Sequence, residues 1–236
     1  MPTTTAFAHA VSARPEPSVA ADQLSAQLAD ALGAEPDLVI LFIAGGLVAS
    51  APSLAARVRA HLRPGRLLAV TASGVIAGET ELERRPAVSA IGARLPGIDV
   101  LPITDAEVMS LADDPRAGIE ALRSRSTKTH AASFLVADPF SVPINGILPG
   151  LNAAHGHGFE DSDEEAPVLF GGLASGAETP GGNVIVLDGQ VTHQGAAGLA
   201  LFGDIRCDMA VSQGCRPIGD DRVVTASRGN LVLELG

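Results

Sequence analysis

Two short Ala-Ser-Gly strings are the first residues in this sequence whose types suit chemistry. Each follows an apolar run that is typical of a buried strand, residues 67–70 in one case and 167–170 in the other. Glycine lets a backbone approach a ligand closely, and successive N–H groups beyond a strand can cradle a carboxylate. A tight turn without a ligand explains the same strings equally well. The candidate ligand-binding residues are Ser73, Gly74, Gly171, Gly172, Ser175 and Gly176.

Neither string matches a nucleotide site or a serine hydrolase. Gly171 and Gly176 have the spacing of a phosphate-binding loop, but Ala177 stands where the lysine that reaches the phosphates belongs. No G-x-G-x-x-G motif follows a strand, so a Rossmann dinucleotide site is not supported. Ser73 and Ser175 lie at strand exits, as a nucleophile elbow does, yet the residue two positions earlier is not glycine in either case.

A third candidate site is the polar, glycine-containing stretch 212–219, which also follows an apolar run. The guanidinium of Arg216 matches a carboxylate in bidentate geometry, and Gln213 is a second donor. Cys215 beside Arg216 suits a thiol whose pKa is lowered and which acts as a thiolate; the alternative is an inert thiol in a structured turn. We count Gln213, Cys215 and Arg216 as ligand-binding candidates and a thiol-dependent enzyme that uses Cys215 as an alternative function.

The histidines suggest metal or haem ligation. His155 and His157 precede an acidic run, residues 160–165, that suits a divalent cation, but their spacing matches neither an EF-hand nor a zinc site. The segment is therefore interpreted as a solvated insertion, and no metal site is predicted. His193 can ligate haem, although a single histidine is more often structural.

Composition excludes several classes of protein. The 236 residues have a formal net charge of −11, which argues against a nucleic-acid partner. No run is long enough to span a bilayer, and the first residues do not resemble a signal peptide, so we expect a cytoplasmic protein without membrane insertion. Cys207 and Cys215 are then expected to be reduced. Because the chain has no Trp and no Tyr, its core must be aliphatic.

The elements that must position these candidates repeat along the chain. A strand-helix-strand-loop-hairpin unit is predicted at about 37–104 and again at about 131–212, with the hairpins at 87–103 and 196–211. The second unit carries the acidic insertion 155–165. Packing of the two halves about a pseudo-twofold axis brings both Ala-Ser-Gly loops to one cleft. Two unrelated α/β halves are the alternative interpretation.

The fold class predicted is α/β, with a pseudo-duplicated mixed sheet and helices outside, arranged as a layered α-β-β-α sandwich. The run 38–43 is apolar at every position, as in a strand covered on both faces. Residues 18–33 have an amphipathic helical pattern, and residues 105–125 form one or two helices that join the halves. One domain is predicted at 1–212, whereas 213–236 forms a linking turn and two strands.

At these residues the sequence resembles the FIST domain family of bacterial sensory proteins and some eukaryotic F-box proteins. The string Val211-Ser-Gln-Gly-Cys-Arg-Pro-Ile-Gly219 is the most specific. Less specific similarities are 67–76 followed by 79–83, 137–140, 170–176 and 229–230. The sequence departs from the family where a Gly-Cys pair often precedes the first loop, because Ala69 and Val70 stand there.

The resemblance implies an intracellular sensory module for signal transduction that binds a small ligand, with amino acids as the proposed class, and no catalysis. Some members are similar to haem-containing nitric oxide sensors, which is an alternative here. A C-terminal FIST domain normally follows, and we expect it to be missing from this chain. That domain or a signalling protein is the expected partner; a purely structural scaffold is a further alternative.

Overall fold

Two β-sheets stacked face to face form the centre of the molecule, in a computed structural model that describes residues 4–156, 166–210, 218–229 and 231–236. In chain order the strands are β1 (Ala6–Ser12), β2 (Leu38–Ala44), β3 (Arg66–Ala72), β4 (Gly74–Ala77), β5 (Thr80–Glu83), β6 (Ala87–Arg94), β7 (Asp99–Ile103), β8 (His130–Ala137), β9 (Val168–Leu173), β10 (Ile185–Leu187), β11 (Gln190–Thr192), β12 (Ala196–Phe202), β13 (Val224–Arg228) and β14 (Leu231–Leu235). The helices are α1 (Pro17–Leu32), α2 (Ala51–Leu62), α3 (Asp105–Asp113), α4 (Pro115–Arg123) and α5 (Ile144–Gly156), and a 3₁₀ helix spans Gly45–Ser50.

The two central sheets share a topology. The larger sheet has the order β1-β6-β2-β3-β10-β11, and the smaller has the order β7-β12-β8-β9. Each sheet contains a parallel pair, β2 with β3 or β8 with β9. The first strand of that pair also pairs antiparallel with β6 or β12. That strand in turn pairs antiparallel with an edge strand, β1 or β7. The equivalence of β1-β6-β2-β3 with β7-β12-β8-β9 supports the predicted duplication.

Three apolar layers show that the molecule is an α-β-β-α sandwich, as predicted. The first lies between the larger sheet and helices α1 and α2, and includes Leu24, Leu41 and Val58. The second lies between the two sheets, where Leu68 packs in the same cluster as Leu199. The third lies between the smaller sheet and helices α3, α4 and α5. Both faces of each central sheet are covered, which explains the uninterrupted apolar sequence of β2.

Local sequence signals set the ends of the helices. Helix α1 begins with Pro17 in its first turn and ends at Gly33, which has φ 65° in the left-handed region. The segment 105–125 forms two helices, because the Asp114 side chain accepts a hydrogen bond from the N–H of Ala117 at 3.0 Å and Pro115 opens α4. None of the helices in the described part of the chain is long and apolar enough to cross a membrane.

The predicted hairpins at the end of each unit are wrong. Strand β7 turns away from β6 after the tight turn at Gly97 and pairs with β12 of the smaller sheet. The physical reason is that β6 already pairs with β1 on one side and β2 on the other, so it has no free edge. In the second unit, residues 205–210 follow β12 without forming a strand.

Strands β10 and β11 also cross between the halves. They follow β9 in sequence, but β10 pairs with β3 of the larger sheet. Asp188, in the turn between them, accepts hydrogen bonds from Arg59 Nη1 and from the backbone N–H of Leu67, both at 2.9 Å. This hairpin therefore joins the second half of the chain to the first.

Candidate functional site

The two Ala-Ser-Gly loops meet. The backbone N–H of Ser73 donates to the hydroxyl oxygen of Ser175 at 3.2 Å, and the N–H of Ser175 donates to the carbonyl of Thr71 at 3.0 Å. A Cβ on Gly176 would overlap the side chain of Thr71, so the close approach of the loops requires glycine there. The structure thus brings Ser73, Gly74, Ser175 and Gly176 together at the carboxyl ends of β3 and β9.

A buried polar cluster supports this junction from below. The Asn183 side chain donates from Nδ2 to Asp138 Oδ1 at 2.9 Å and to the carbonyl of Ala174 at 3.3 Å. Its Oδ1 accepts from the N–H of Ala177 at 3.0 Å, in the segment that follows Gly176. Asn183 and Asp138 are almost completely buried. Each buried polar atom of Asn183 has a partner. Because these partners are Ala174 and Ala177 in the second loop and Asp138 after β8, the cluster fixes the loop relative to the end of β8.

The other carboxylate oxygen of Asp138 completes the cluster. Ser141 Oγ donates to Asp138 Oδ2 at 2.6 Å, and the N–H of Gly195 donates to Ser141 Oγ at 2.8 Å. Thr71 contributes from the larger sheet, since its Oγ1 accepts from the N–H of Val184 at 2.9 Å. Elements of both halves therefore meet at one polar centre beneath the two serines.

The sequence interpretation missed Asp138 and Asn183 as the residues that organise the junction. A signal existed for Asp138, which ends a strand that is otherwise apolar from Ala131 to Ala137 apart from Ser133. A carboxylate at the end of a buried strand needs a partner. No sequence pattern indicates the role of Asn183, because its link to the other strand end depends on Asp138, which lies 45 residues away.

Gly171 and Gly172 lie beside an apolar cavity. The cavity, of about 310 Å³, lies between α5 and the strands β8 and β9. Among the described residues that line it, Asn152 has the only polar side chain. The half-exposed Leu148 and Leu173 leave it open to solvent. Its size is at the low end of the roughly 300–1,000 Å³ that is usual for small-ligand pockets.

The two glycines differ in what their backbone requires. Gly171 has φ 154°, and a Cβ there would overlap the carbonyl oxygen of Leu135 on β8. A Cβ on Gly172 would meet nothing within 4 Å. Gly171 is therefore needed for the pairing of β9 with β8, whereas Gly172 leaves open space beside the cavity.

Three predicted ligand-binding residues, Gln213, Cys215 and Arg216, lie outside the described residues, as do His157 and the acidic run 160–165. The other cysteine, Cys207, is described: its burial, with a smaller contribution from the charge of Asp208, raises the pKa of its thiol. Cys207 therefore has no tendency to form the thiolate that a nucleophile needs.

His155 is not part of a solvated insertion, which corrects its assignment. It lies in the last turn of α5, is buried, and its Nδ1 is 2.8 Å from the carbonyl of Leu151. Its ring centroid is 5.6 Å from that of His130, which stacks on Phe202. Burial lowers the pKa of His155 and lowers the pKa of His130 to about 4. Both imidazoles are therefore neutral core side chains at pH 7.

The described lining of the cavity does not fit haem. Among the residues that the structure describes, the lining contains no histidine, cysteine or methionine that could act as an axial ligand. His193 lies elsewhere, with its Nδ1 3.0 Å from the carbonyl of Asn183. In the parts of the chain that the structure describes, no group of three or more His, Cys, Asp or Glu side chains could hold a metal ion.

Comparison with known proteins agrees with this architecture. The FIST N domain model matches residues 37–236. Uncharacterized protein Rv0628c of Mycobacterium tuberculosis (strain ATCC 25618 / H37Rv) is 33% identical over 230 residues, which are 96% of this chain and 55% of that protein. Uncharacterized protein Mb0898c of Mycobacterium bovis is 30% identical over 226 residues, 94% of this chain and 54% of that protein.

The chain thus spans about half the length of the curated relatives it matches. The match covers both Ala-Ser-Gly loops, the glycines of β9 and the string 211–219 on which the resemblance depends most. The α/β architecture and the matched range together identify this chain as a member of the FIST family of signal-transduction sensory domains.

Proposed function

We propose that this domain senses a small molecule with an apolar body, bound in the cavity between α5 and β9 without turnover. The observation that carries the proposal is the cavity itself, which opens to solvent beside Gly171 and Gly172 and is lined almost entirely by aliphatic side chains. An aliphatic ligand body is favoured there because the polar groups of a more polar ligand would find few hydrogen-bond partners in this lining.

An amino acid with an aliphatic side chain is the ligand class that we favour. Asn152 supplies the one polar side chain among the described lining residues, and an amide both donates and accepts, which suits an amino or carboxyl group. The free space over Gly172 lets the ligand approach the backbone of β9. In this proposal the domain acts in the cytoplasm, and a C-terminal FIST domain or another signalling partner responds to the bound state.

The test is a dye-based thermal-shift titration of the chain with the common amino acids, followed by calorimetry with any that stabilise it. A ligand at 100 times its dissociation constant should add about 2.7 kcal/mol of stability. Leu148→Trp at the cavity mouth should abolish the shift by filling the space. Val191→Trp, on the half-exposed face of β11, is the matched control and should retain it.

Asn152→Leu distinguishes the contribution of the apolar lining to ligand binding from that of the Asn152 amide. It should weaken binding of an amino acid more than binding of a hydrocarbon of the same size, because only the amino acid uses the amide. A ligand shift that persists in Leu148→Trp would place the ligand elsewhere. An absence of any shift with amino acids would reject this ligand class.

A further inference from the structure

Strand β9 has a free edge in the part of the chain that the structure describes. It lies at the end of the smaller sheet, where β8 is its partner among the described strands. Residues 170–173 are exposed, and residues 166–175 carry no charged side chain. Edge strands usually avoid unwanted pairing through charges or proline, and β7 at the opposite edge of the same sheet contains Asp99 and Pro102. Strand β9 itself contains neither a charged residue nor a proline, although Pro167 directly precedes it.

Apolar space adjoins both faces of this edge. One face borders the cavity beside α5, where Leu173 is 44% exposed. The other borders a groove of about 940 Å³ between the two sheets, with Phe170 on one wall and Phe7 and Ile91 on the other. A strand added beside β9 would point alternate side chains towards these two spaces. The surface therefore suits an extended segment that is apolar on both faces.

The same chain carries an exposed strand, β14, that has apolar side chains on both faces, although Glu234 shares one face with Val232. Strands β13 and β14 form a sheet of their own. Leu231, Leu233 and Leu235 of β14 are each more than half exposed, and Val232 on the opposite face is as well. Among the described residues, none after Ile205 belongs to an apolar cluster of the core. An isolated two-stranded hairpin is at best marginally stable in water, so this one requires a further strand or a covering surface.

We propose that β14 of a second copy of this chain adds to the free edge of β9, and that the exchange is reciprocal. Among the described strands, each copy carries both an edge strand with one free side, β9, and an exposed two-stranded hairpin whose strand β14 has one free side. In a dimer with a twofold axis, β14 of each copy pairs with β9 of the other, so both free strand edges are covered and no further copy can add. Because β14 stays paired with β13, the added hairpin extends the smaller sheet to six strands, and it covers the exposed side chains of Phe170 and Leu173. This interface does not depend on which ligand the cavity binds.

Sedimentation velocity over a wide dilution series measures the association directly. The expected result is a dimer that dissociates on dilution. Leu233→Lys in the donor strand and Leu173→Lys in the acceptor strand should each weaken the dimer at least about tenfold, because an unpaired ammonium would be buried. Ile76→Lys, which changes a more exposed aliphatic residue on β4, is the control and should leave the dimer unchanged. Circular dichroism checks that each variant is folded.

Mixing the two variants distinguishes strand exchange from general hydrophobic association. A mixed pair has one intact contact, in which the normal β14 of Leu173→Lys adds to the normal β9 of Leu233→Lys. Dimer should therefore reappear in the mixture although neither variant forms it alone. A wild-type chain that stays monomeric at high concentration overturns the proposal. So does a dimer that survives both substitutions, or a mixture that remains monomeric.

Discussion

The N–H of Ser73 donates to the hydroxyl of Ser175 across 3.2 Å, although 102 residues separate them in sequence. The contact joins the loop that follows β3 to the loop that follows β9, and hence the two halves of the sandwich. Both serines are exposed, and the hydrogen-bonded cluster of Asn183 and Asp138 lies beneath them. The junction couples the position of β9 to the larger sheet.

Substitution of Gly171 by Ala should destabilise the domain far more than the same change at Gly172. Gly171→Ala places a methyl group against the carbonyl oxygen of Leu135, so β9 must move or separate from β8. The expected loss is about 3 kcal/mol in the free energy of unfolding. Urea denaturation measures it. Gly172→Ala meets open space and should stay within about 0.5 kcal/mol of wild type; equal effects of the two changes would contradict the close approach of β9.

Removal of the Asn183 side chain should leave the carboxylate of Asp138 buried with one partner fewer. Asn183→Ala is expected to lower the free energy of unfolding by about 3 kcal/mol, because a buried charge loses a hydrogen bond that water cannot replace. Chemical denaturation at pH 7 provides the measurement. Gln190→Ala, at an exposed position on β11, is the control and should be neutral. A neutral Asn183→Ala would show that the cluster does not hold the junction.

The stability of the domain should fall as the pH drops from about 6.5 to 4, partly through His130. Burial lowers the pKa of this imidazole in the folded protein to about 4, so the unfolded chain binds the proton more readily. The contribution is fully present above the unfolded pKa and is lost as pH falls through the folded pKa. The loss is on the order of 3 kcal/mol.

A pH series of urea denaturation curves tests this dependence. His130→Phe keeps a ring against Phe202 and should flatten the curve between pH 6.5 and 4. His9→Gln, which removes an exposed imidazole from β1, is the matched control variant. An unchanged slope in His130→Phe would mean that burial does not lower the pKa of His130 in the folded protein.

Asp188→Ala should loosen the β10–β11 hairpin from β3. It removes the acceptor of Arg59 and of the Leu67 N–H, and the expected loss is about 2 kcal/mol of stability. Asp188→Asn should recover about half, since asparagine tolerates the φ of 51° found here and still accepts from Leu67. Hydrogen exchange of the β10 amides reports the local effect. Wild-type protection of these amides in Asp188→Ala would show that the carboxylate does not anchor the hairpin.

Much of the fold could be predicted from local patterns. The apolar run of β2, the amphipathic pattern of α1 and the cap formed by Asp114 each depend on residues close together in sequence. The apposition of the two Ala-Ser-Gly loops could be anticipated from the resemblance between the halves. The pairing of β7 with β12 could not, because it depends on β6 having both edges occupied.

The sequence by itself determined the element types, the α/β class, the FIST family and the glycines at which the backbone comes close to a neighbour. Tertiary structure alone decided that β10 joins the larger sheet, that Asn183 reaches Asp138, and that β9 is left with a free edge beside an apolar cavity. The physical reason is that hydrophobic periodicity and capping act over a few residues. Strand pairing and cavity shape depend on which edges and faces the rest of the chain has already covered.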